Sequence, residues 1–241
     1  MRILAAALLL PSTAAAQEIV VTGRGLDAPP GEAAYAVTEI DRDRLTGTAS
    51  GRFEDALRDA AGAAQFRRAD ARSAHPTAQG ITLRGLGGNA SSRALLLLDG
   101  VPQADPFGGW VAFPAYLPER LASVRITRGG GSGYHGAGAL AGTIELTSAG
   151  PDELGPLGLA AFYASLDSLD LVATSGLRLG SGSLSIAGQY ARGDGFVPIV
   201  TEDRGPADRA APYEQASLAL RAVVPLAAGV ELQSSVSGFT D

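Results

Sequence analysis

Leu169-Asp170-Leu171-Val172-Ala173-Thr174-Ser175-Gly176-Leu177-Arg178-Leu179 alternates with a period of two. Leu169, Leu171, Ala173, Ser175, Leu177 and Leu179 fall on one face, and Asp170, Thr174 and Arg178 on the other. Successive side chains of a strand point to opposite sides, so the stretch reads as a strand with one apolar and one polar surface. Three later segments repeat the pattern. Leu184, Ile186, Gly188 and Tyr190 alternate with Ser183, Ser185 and Gln189; Ala216, Leu218, Leu220, Ala222 and Val224 alternate with Gln215, Ser217 and Arg221; Val230, Leu232 and Val236 alternate with Glu231, Gln233, Ser235 and Ser237. With Leu157 to Ala164 ahead of them they make five strands. Alternating segments of about ten residues are the pattern of a transmembrane β-barrel. A soluble β-sandwich would show the same alternation with its apolar faces turned inward. Few large aromatics are available to fill such a sandwich, whereas an apolar barrel exterior needs no core of its own.

The connections provide a second reading. Barrels of the outer membrane pair short periplasmic turns with longer outer loops. If the first strand runs outward, the second-to-third and fourth-to-fifth connections are periplasmic. These are Gly180-Ser181-Gly182 and Pro225 to Gly229, both short, while the third-to-fourth connection, Gly193 to Pro212, is long and external. The first-to-second link is external by this parity and yet short, so the match is partial.

Upstream, from Tyr35 to Thr147, the pattern is mixed. Tyr35 to Ile40 reads as a strand. Arg52 to Ala61 reads as a short helix, with Phe53, Ala56 and Leu57 at i, i+3, i+4 spacing and Gly62 to stop it. Ile81 to Arg84, Ala94 to Leu98, Val124 to Thr127 and Thr143 to Thr147 read as further strands, and Asp99-Gly100 is a hairpin signal. Together these predict a small α+β domain.

The N-terminus has the layout of an export signal. Arg2 supplies a positive start, Ile3 to Pro11 a short apolar run, and Ala14-Ala15-Ala16 a small-residue cleavage site, which puts the mature start near Gln17. The apolar run is shorter than the roughly 20 residues a spanning helix needs. Glu18-Ile19-Val20-Val21-Thr22-Gly23 is β-prone, and Gly25 to Glu32, with Pro29-Pro30, reads as a linker. An isolated β-prone segment ahead of a linker can lend its backbone to another protein's sheet.

Composition narrows the function classes. There is no cysteine, which removes disulfides and thiolate metal sites, and the net charge of −6 argues against nucleic-acid binding. All nineteen positive residues are Arg. Gly131, Gly133 and Gly136 match a dinucleotide fingerprint, but little more than one turn of helix could follow before the Thr143 strand. Only His75 and His135 are present, without metal-ligand spacing, and no nucleophile elbow or paired carboxylates occur. Neither an enzyme, a metal site nor a cofactor is expected.

Several of these stretches, in order, resemble the plug of TonB-dependent outer-membrane receptors. They are Ile81-Thr82-Leu83-Arg84-Gly85, Ala94-Leu95-Leu96-Leu97-Leu98-Asp99-Gly100-Val101-Pro102, Leu121-Ala122-Ser123-Val124-Arg125-Ile126-Thr127-Arg128-Gly129, and the glycine-rich Ser132 to Thr147. Glu18 to Gly23 resembles the TonB box. The sequence departs from the family pattern at His135, where Tyr is usual, at Glu145, where Asn is common, and at Gly130-Gly131. The resemblance implies a signal peptide at 1–16, TonB box and linker at 17–34, plug at 35–150, and the first barrel strands at 155–241. The expected fold is therefore an α+β plug domain followed by antiparallel transmembrane β-barrel strands. A closed barrel of about 22 strands takes roughly 200 residues of strand, so an incomplete barrel is expected here.

The same resemblance implies function. The intact receptor would bind a scarce, bulky nutrient, siderophore- or corrinoid-like, and import it when the TonB energy-coupling protein displaces the plug; the location would be the cell outer membrane, in contact with its lipid. Glu18, Ile19, Val20, Val21 and Thr22 would form the TonB box. Arg84, Gly85, Asp99, Gly100, Arg125, Gly136 and Gly142 would shape the plug, and Arg84, Arg93, Arg125 and Arg128 are candidates for plug-to-wall pairs. The outward loops would be Arg67 to Gln79 and Gln103 to Phe113, with Arg72, His75, Phe107, Trp110 and Phe113 as candidate substrate contacts. Two alternatives remain open: a receptor that signals through an anti-sigma partner, which would carry a folded domain where Gln17 and Glu18 directly follow the cleavage site, and a soluble periplasmic plug-like binding module, which the alternating strands disfavour.

Overall fold

A computed structural model describes residues 35–65, 71–85, 93–129 and 135–241. The export signal, the β-prone segment at 18–23, the linker and the first two glycines of the fingerprint lie outside the described residues. Two five-stranded sheets make up most of the rest.

The first sheet has the order β1-β6-β7-β4-β5, built from Ala36–Asp41 (β1), Ala94–Leu98 (β4), Val101–Pro102 (β5), Leu121–Arg128 (β6) and Gly142–Ser148 (β7). A small separate pair joins Ala63–Gln65 (β2) to Ile81–Leu83 (β3). β4 runs parallel to β7, and the other neighbours are antiparallel. β4, between β7 and β5, is largely covered on both faces, which accounts for the unbroken apolar run Ala94-Leu95-Leu96-Leu97-Leu98. Leu98, Asp99, Gly100 and Val101 close a two-residue hairpin, with φ of 49° at Asp99 and 83° at Gly100. Positive φ at both central residues matches the twist of the flanking strands, and Asp-Gly is the pair that tolerates it best.

Helices close one side of this sheet. Asp41 caps Arg42–Thr46 (α1) by accepting from Arg44 N at 2.8 Å. Phe53–Ala56 (α2) runs into a single 3₁₀ turn at Leu57–Asp59. The expected helix to Ala61 is thus shorter, because the backbone is already extended at Ala60 and Gly62 turns with φ 81°. The face predicted from spacing is the buried one: Phe53, Ala56 and Leu57 join Leu45, Leu96, Val124, Ile126 and Ile144 in one core. Gly142 is needed where β7 meets β6. Its φ is 137°, and a Cβ there would lie 2.1 Å from the Thr127 carbonyl oxygen.

After a one-turn helix at Pro151–Leu154 (α3), five strands follow as a meander: Gly158–Ala164 (β8), Ser168–Leu179 (β9), Gly182–Gly193 (β10), Tyr213–Ala227 (β11) and Val230–Thr240 (β12). Each pairs antiparallel with its chain neighbour, and β8 and β12 are the edges, so the sheet is not closed. Along one row Ser175, Ile186, Leu220 and Val236 stand side by side; along another, Gly158, Thr174, Ala187 and Ala219 do. The first row points away from the small domain, and Leu220 and Val236 in it are exposed. The second row faces that domain, and Thr174, Ala187 and Ala219 are buried beneath it. The polar face is therefore the covered one. That is the reverse of a soluble sandwich and the arrangement of a barrel wall around polar contents. No helix among the described residues is long and apolar enough to cross a membrane, which leaves strands unaddressed.

Candidate functional site

Three of the sequence-predicted residues, Arg72, Asp99 and Trp110, lie at the contact between the small domain and the long-stranded sheet. Its closest approach is at α3, where Gly176 N donates to Gly155 O at 2.7 Å and a Cβ on Gly176 would fall 2.5 Å from Pro151 Cα. Only glycine lets β9 come this near. Elsewhere the two parts meet through hydrogen bonds and ion pairs. Small inward side chains at Thr174, Ala187, Ala191 and Ala219 leave room for them.

One cluster sits at the end of the sheet that carries the long 194–212 connection. Arg72 Nη2 donates to Asp170 Oδ1 on β9 at 2.6 Å, and its guanidinium lies 5.1 Å from the centre of the Tyr213 ring on β11. The neighbouring Ala71 carbonyl accepts from Gln215 Nε2 at 3.2 Å. Trp110 meets Phe239 of β12 edge-on, with ring centres 6.4 Å apart. A small open cleft lies beside these contacts, lined among others by Arg52, Glu54, Arg72, Gln189 and Gln215.

A second cluster lies nearer the short-turn end. Asp99 Oδ2 is 3.2 Å from Arg221 Nε of β11, and the same carboxylate accepts from Ser148 N at 2.9 Å and Ser148 Oγ at 2.6 Å. Ser185 Oγ of β10 donates to the Ala149 carbonyl at 3.4 Å. Beside α3, Arg178 of β9 pairs with Asp152.

The structure separates the candidate substrate residues. Arg72 and Trp110 stand at the seam between the two parts. His75 is exposed, and its Nδ1 is 2.9 Å from Thr77 Oγ1. Phe107 is 99% exposed at the tip of a turn that Asp105 organises, its Oδ1 accepting from the amides of Phe107 and Gly108. Phe113 is placed differently from the outward loop expected for it. It is 1% exposed in the core, 6.3 Å from Phe53, because the chain turns inward at Val111–Phe113. Among the shape-setting residues, Gly85 and Gly136 have φ of 68° and 79°, and Arg84 also has positive φ, at 59°. The TonB-box residues Glu18 to Thr22 lie outside the described residues.

The four arginines expected to pair with the wall are placed as follows, with five wall strands present to meet them. Arg128 donates to Ala61 O within its own domain, and Arg84 and Arg93 are exposed. Arg125 stands between Glu39 and Glu145 by strand register, a row of alternating charge inside the small domain. The cross-contacts to these five strands include Arg72 and Arg221. A signal for Arg221 was present in the alternation, which put it on the polar face with Gln215 and Ser217; its partner Asp99 was legible only as a turn residue.

Burial shifts titration along the base of the small domain. It pushes the Tyr116 hydroxyl, which donates to Gln103 Oε1 at 3.0 Å, up to about 12. It raises the Glu119 carboxyl, whose Oε2 is buried with no hydrogen-bond partner among the described residues, and lowers Arg120. No group of three or more His, Cys, Asp or Glu among the described residues could hold a metal ion.

Comparison with known proteins agrees with this geometry. Residues 29–143 match the family model of the TonB-dependent Receptor Plug Domain. A search of curated proteins gave no match. Among solved structures, the chain is similar to the ferric yersiniabactin uptake receptor FyuA from Yersinia pestis, with 18% identity, a TM-score of 0.61, and coverage of 85% of this chain and 31% of that one. It is similar to the siderophore receptor PirA from Acinetobacter baumannii, with 14% identity, a TM-score of 0.58, and 84% and 31% coverage. The ferric citrate transporter FecA in its unliganded form gives 15% identity, a TM-score of 0.61, and 85% and 31% coverage. The chain thus spans under a third of the length of these receptors. An α+β domain that matches the plug model, seated on the polar face of an antiparallel sheet whose apolar face is bare, has the fold of the plug and first wall strands of a TonB-dependent receptor.

Proposed function

We propose that this chain is the plug-bearing part of an outer-membrane receptor that binds a scarce, bulky nutrient, siderophore- or corrinoid-like, and admits it when an energy-coupling partner pulls the plug aside. The observation that carries the reading is the polar seating of the plug. A domain held to the wall by ion pairs and hydrogen bonds, with small side chains beneath it, can shift and return. A shared apolar core would make the two parts one body.

No bond is made or broken in such a step. The plug blocks the lumen at rest, the ligand docks where Arg72 and Trp110 meet the wall, and Phe107 stands out from the same loop as Trp110. The partner engages the backbone of Ile19–Thr22 as an added strand, and the proton gradient across the inner membrane supplies the work.

The test uses the full-length receptor in cells lacking their own uptake systems, supplied in turn with a panel of ferric chelates and a corrinoid. One of these is taken up, and Val20→Pro, which removes a donor and restricts the backbone, stops uptake while binding to the cell surface persists. Uptake of none, or undiminished uptake by V20P, rejects the reading. Trp110→Ala sharpens the ligand site: affinity falls with thermal stability unchanged if Trp110 touches ligand, and both fall together if it only packs on Phe239.

A further inference from the structure

We infer that Asp99 and Arg221 are the positioning pair that seats the plug near the short-turn end of the wall, and that they form a releasable latch because each half keeps partners in its own part when they separate. This rests on the reading of the chain as plug and wall.

The plug half is the hairpin turn between β4 and β5. Asp99 has positive φ there, and its amide donates to Leu146 O at 2.9 Å. Its carboxylate accepts both the amide and the hydroxyl of Ser148 at the end of β7. These bonds lie wholly within the plug, and they hold the carboxylate at the plug surface whether or not the wall is present. The Arg120 guanidinium, buried in the plug, adds a favourable charge.

The wall half is Arg221, on the inward face of β11. Its Nε is 3.2 Å from Asp99 Oδ2, and its Nη2 donates to Gln233 Oε1 of β12 at 3.0 Å. Gln233 is itself held by Glu231 on the same strand. The guanidinium is therefore oriented by the wall before the plug arrives. Both side chains are more than four-fifths buried in the docked state.

Removing one partner from a buried ion pair is costly mainly because the other charge is left unsatisfied. Here neither is. If the plug moves, Asp99 keeps two donors and a nearby cation, and Arg221 keeps Gln233. An open cleft already borders Arg221 and Ser148, the plug partner of Asp99, so water has a way in to the wall half as the two part. What is lost is one charge-assisted contact. That is enough to set the resting position and small enough to be broken and remade.

The latch makes a prediction that a purely structural contact does not. In cells producing the full-length receptor, Arg221→Gln should raise susceptibility to vancomycin, used as a bulky probe of a badly seated plug, by severalfold. In the purified receptor the same substitution should leave amide hydrogen exchange of the Leu97–Pro102 hairpin unchanged, since Ser148 still holds it. Ser148→Ala should do the opposite to the hairpin, speeding its exchange on the order of tenfold, as expected for losing one hydrogen bond to a charged group. Arg221→Lys, which keeps the charge, should show neither effect and serves if the Gln variant does not assemble. An R221Q receptor that admits no more vancomycin than the parent, an R221Q hairpin that exchanges as fast as that of S148A, or an R221K receptor as leaky as R221Q would each overturn the latch. None of these readouts needs ligand or partner. A receptor that imports nothing would sink the transport reading and leave the latch standing.

Discussion

The two sheets obey the same alternation and turn it in opposite directions. In the plug sheet the apolar positions go inside: Ile126 of β6 is 0% exposed in one core with Phe53 and Ile144, between the half-buried Arg125 and Thr127. In the wall they go outside: Leu218 is 51% exposed, while its neighbours Ala219 and Arg221 face the plug. The difference shows that periodicity reports the existence of two faces and not the solvent on either side of them. What decides is the surrounding medium. Water drives the plug's leucines together, whereas lipid lets the wall's leucines stay where they are.

That contrast can be broken most forcefully from the plug side. Phe53→Ala removes a ring from the centre of the core and should cost the plug about 3–5 kcal/mol, read as a lower urea midpoint for the plug with the wall's midpoint unchanged in the full-length receptor. The wall is next. Leu220→Arg puts a charge on the lipid-facing row and should cost roughly 2–4 kcal/mol if the position lies near the bilayer midplane. It should show as reduced assembly into the outer membrane with plug stability unaltered. Equal damage to both parts from either substitution would mean that they share one core.

The seam should respond less. Arg72→Ala takes away a contact to Asp170 and the stacking on Tyr213, and should weaken plug seating by on the order of 1–3 kcal/mol, measured as the urea concentration at which the plug releases from the wall. An unchanged release point would place the seating energy elsewhere.

The smallest effect is a pH dependence. Glu119 has its folded-state pKa raised, first by burial. Its proton is thus bound more tightly in the folded plug, so its contribution favours folding at low pH and is lost as pH climbs from the ordinary carboxylate value through the raised one. Above that window the loss is complete and constant. Glu119→Gln should abolish this slope, seen in plug stability followed across the acidic range; a wild-type profile identical to that of E119Q would remove Glu119 as its source.

Much of this arrangement was legible in the chain, and the limits are physical. The five wall strands, the Asp99-Gly100 hairpin and the buried face of α2 are local, set by neighbours within a few residues, and local pattern reports them. Helices α1 and α3 leave no periodic signal in the sequence, although Asp41 and Pro151 mark their starts, because one turn of helix is too short to show a period. The true seam pairs were hidden for a different reason. Arg72, Arg84, Arg93, Arg125, Arg128 and Arg221 carry the same charge, and only the three-dimensional path brings Arg72 to Asp170 and Arg221 to Asp99. Phe113 shows the same limit, since its loop position looked outward until the chain turned it against Phe53.

The strand order has a consequence for assembly in time. Every wall strand pairs with the one just before or after it, so the wall can grow hairpin by hairpin as residues become available. The plug sheet cannot, because Ala36 must find Arg128, and Ala94 must find Gly142, before its middle exists. Long-range pairing slows folding because loop closure comes before any reward. The plug is therefore the part that folds late relative to its own synthesis, and an unfinished plug offers the growing wall a flexible chain in place of a fixed template.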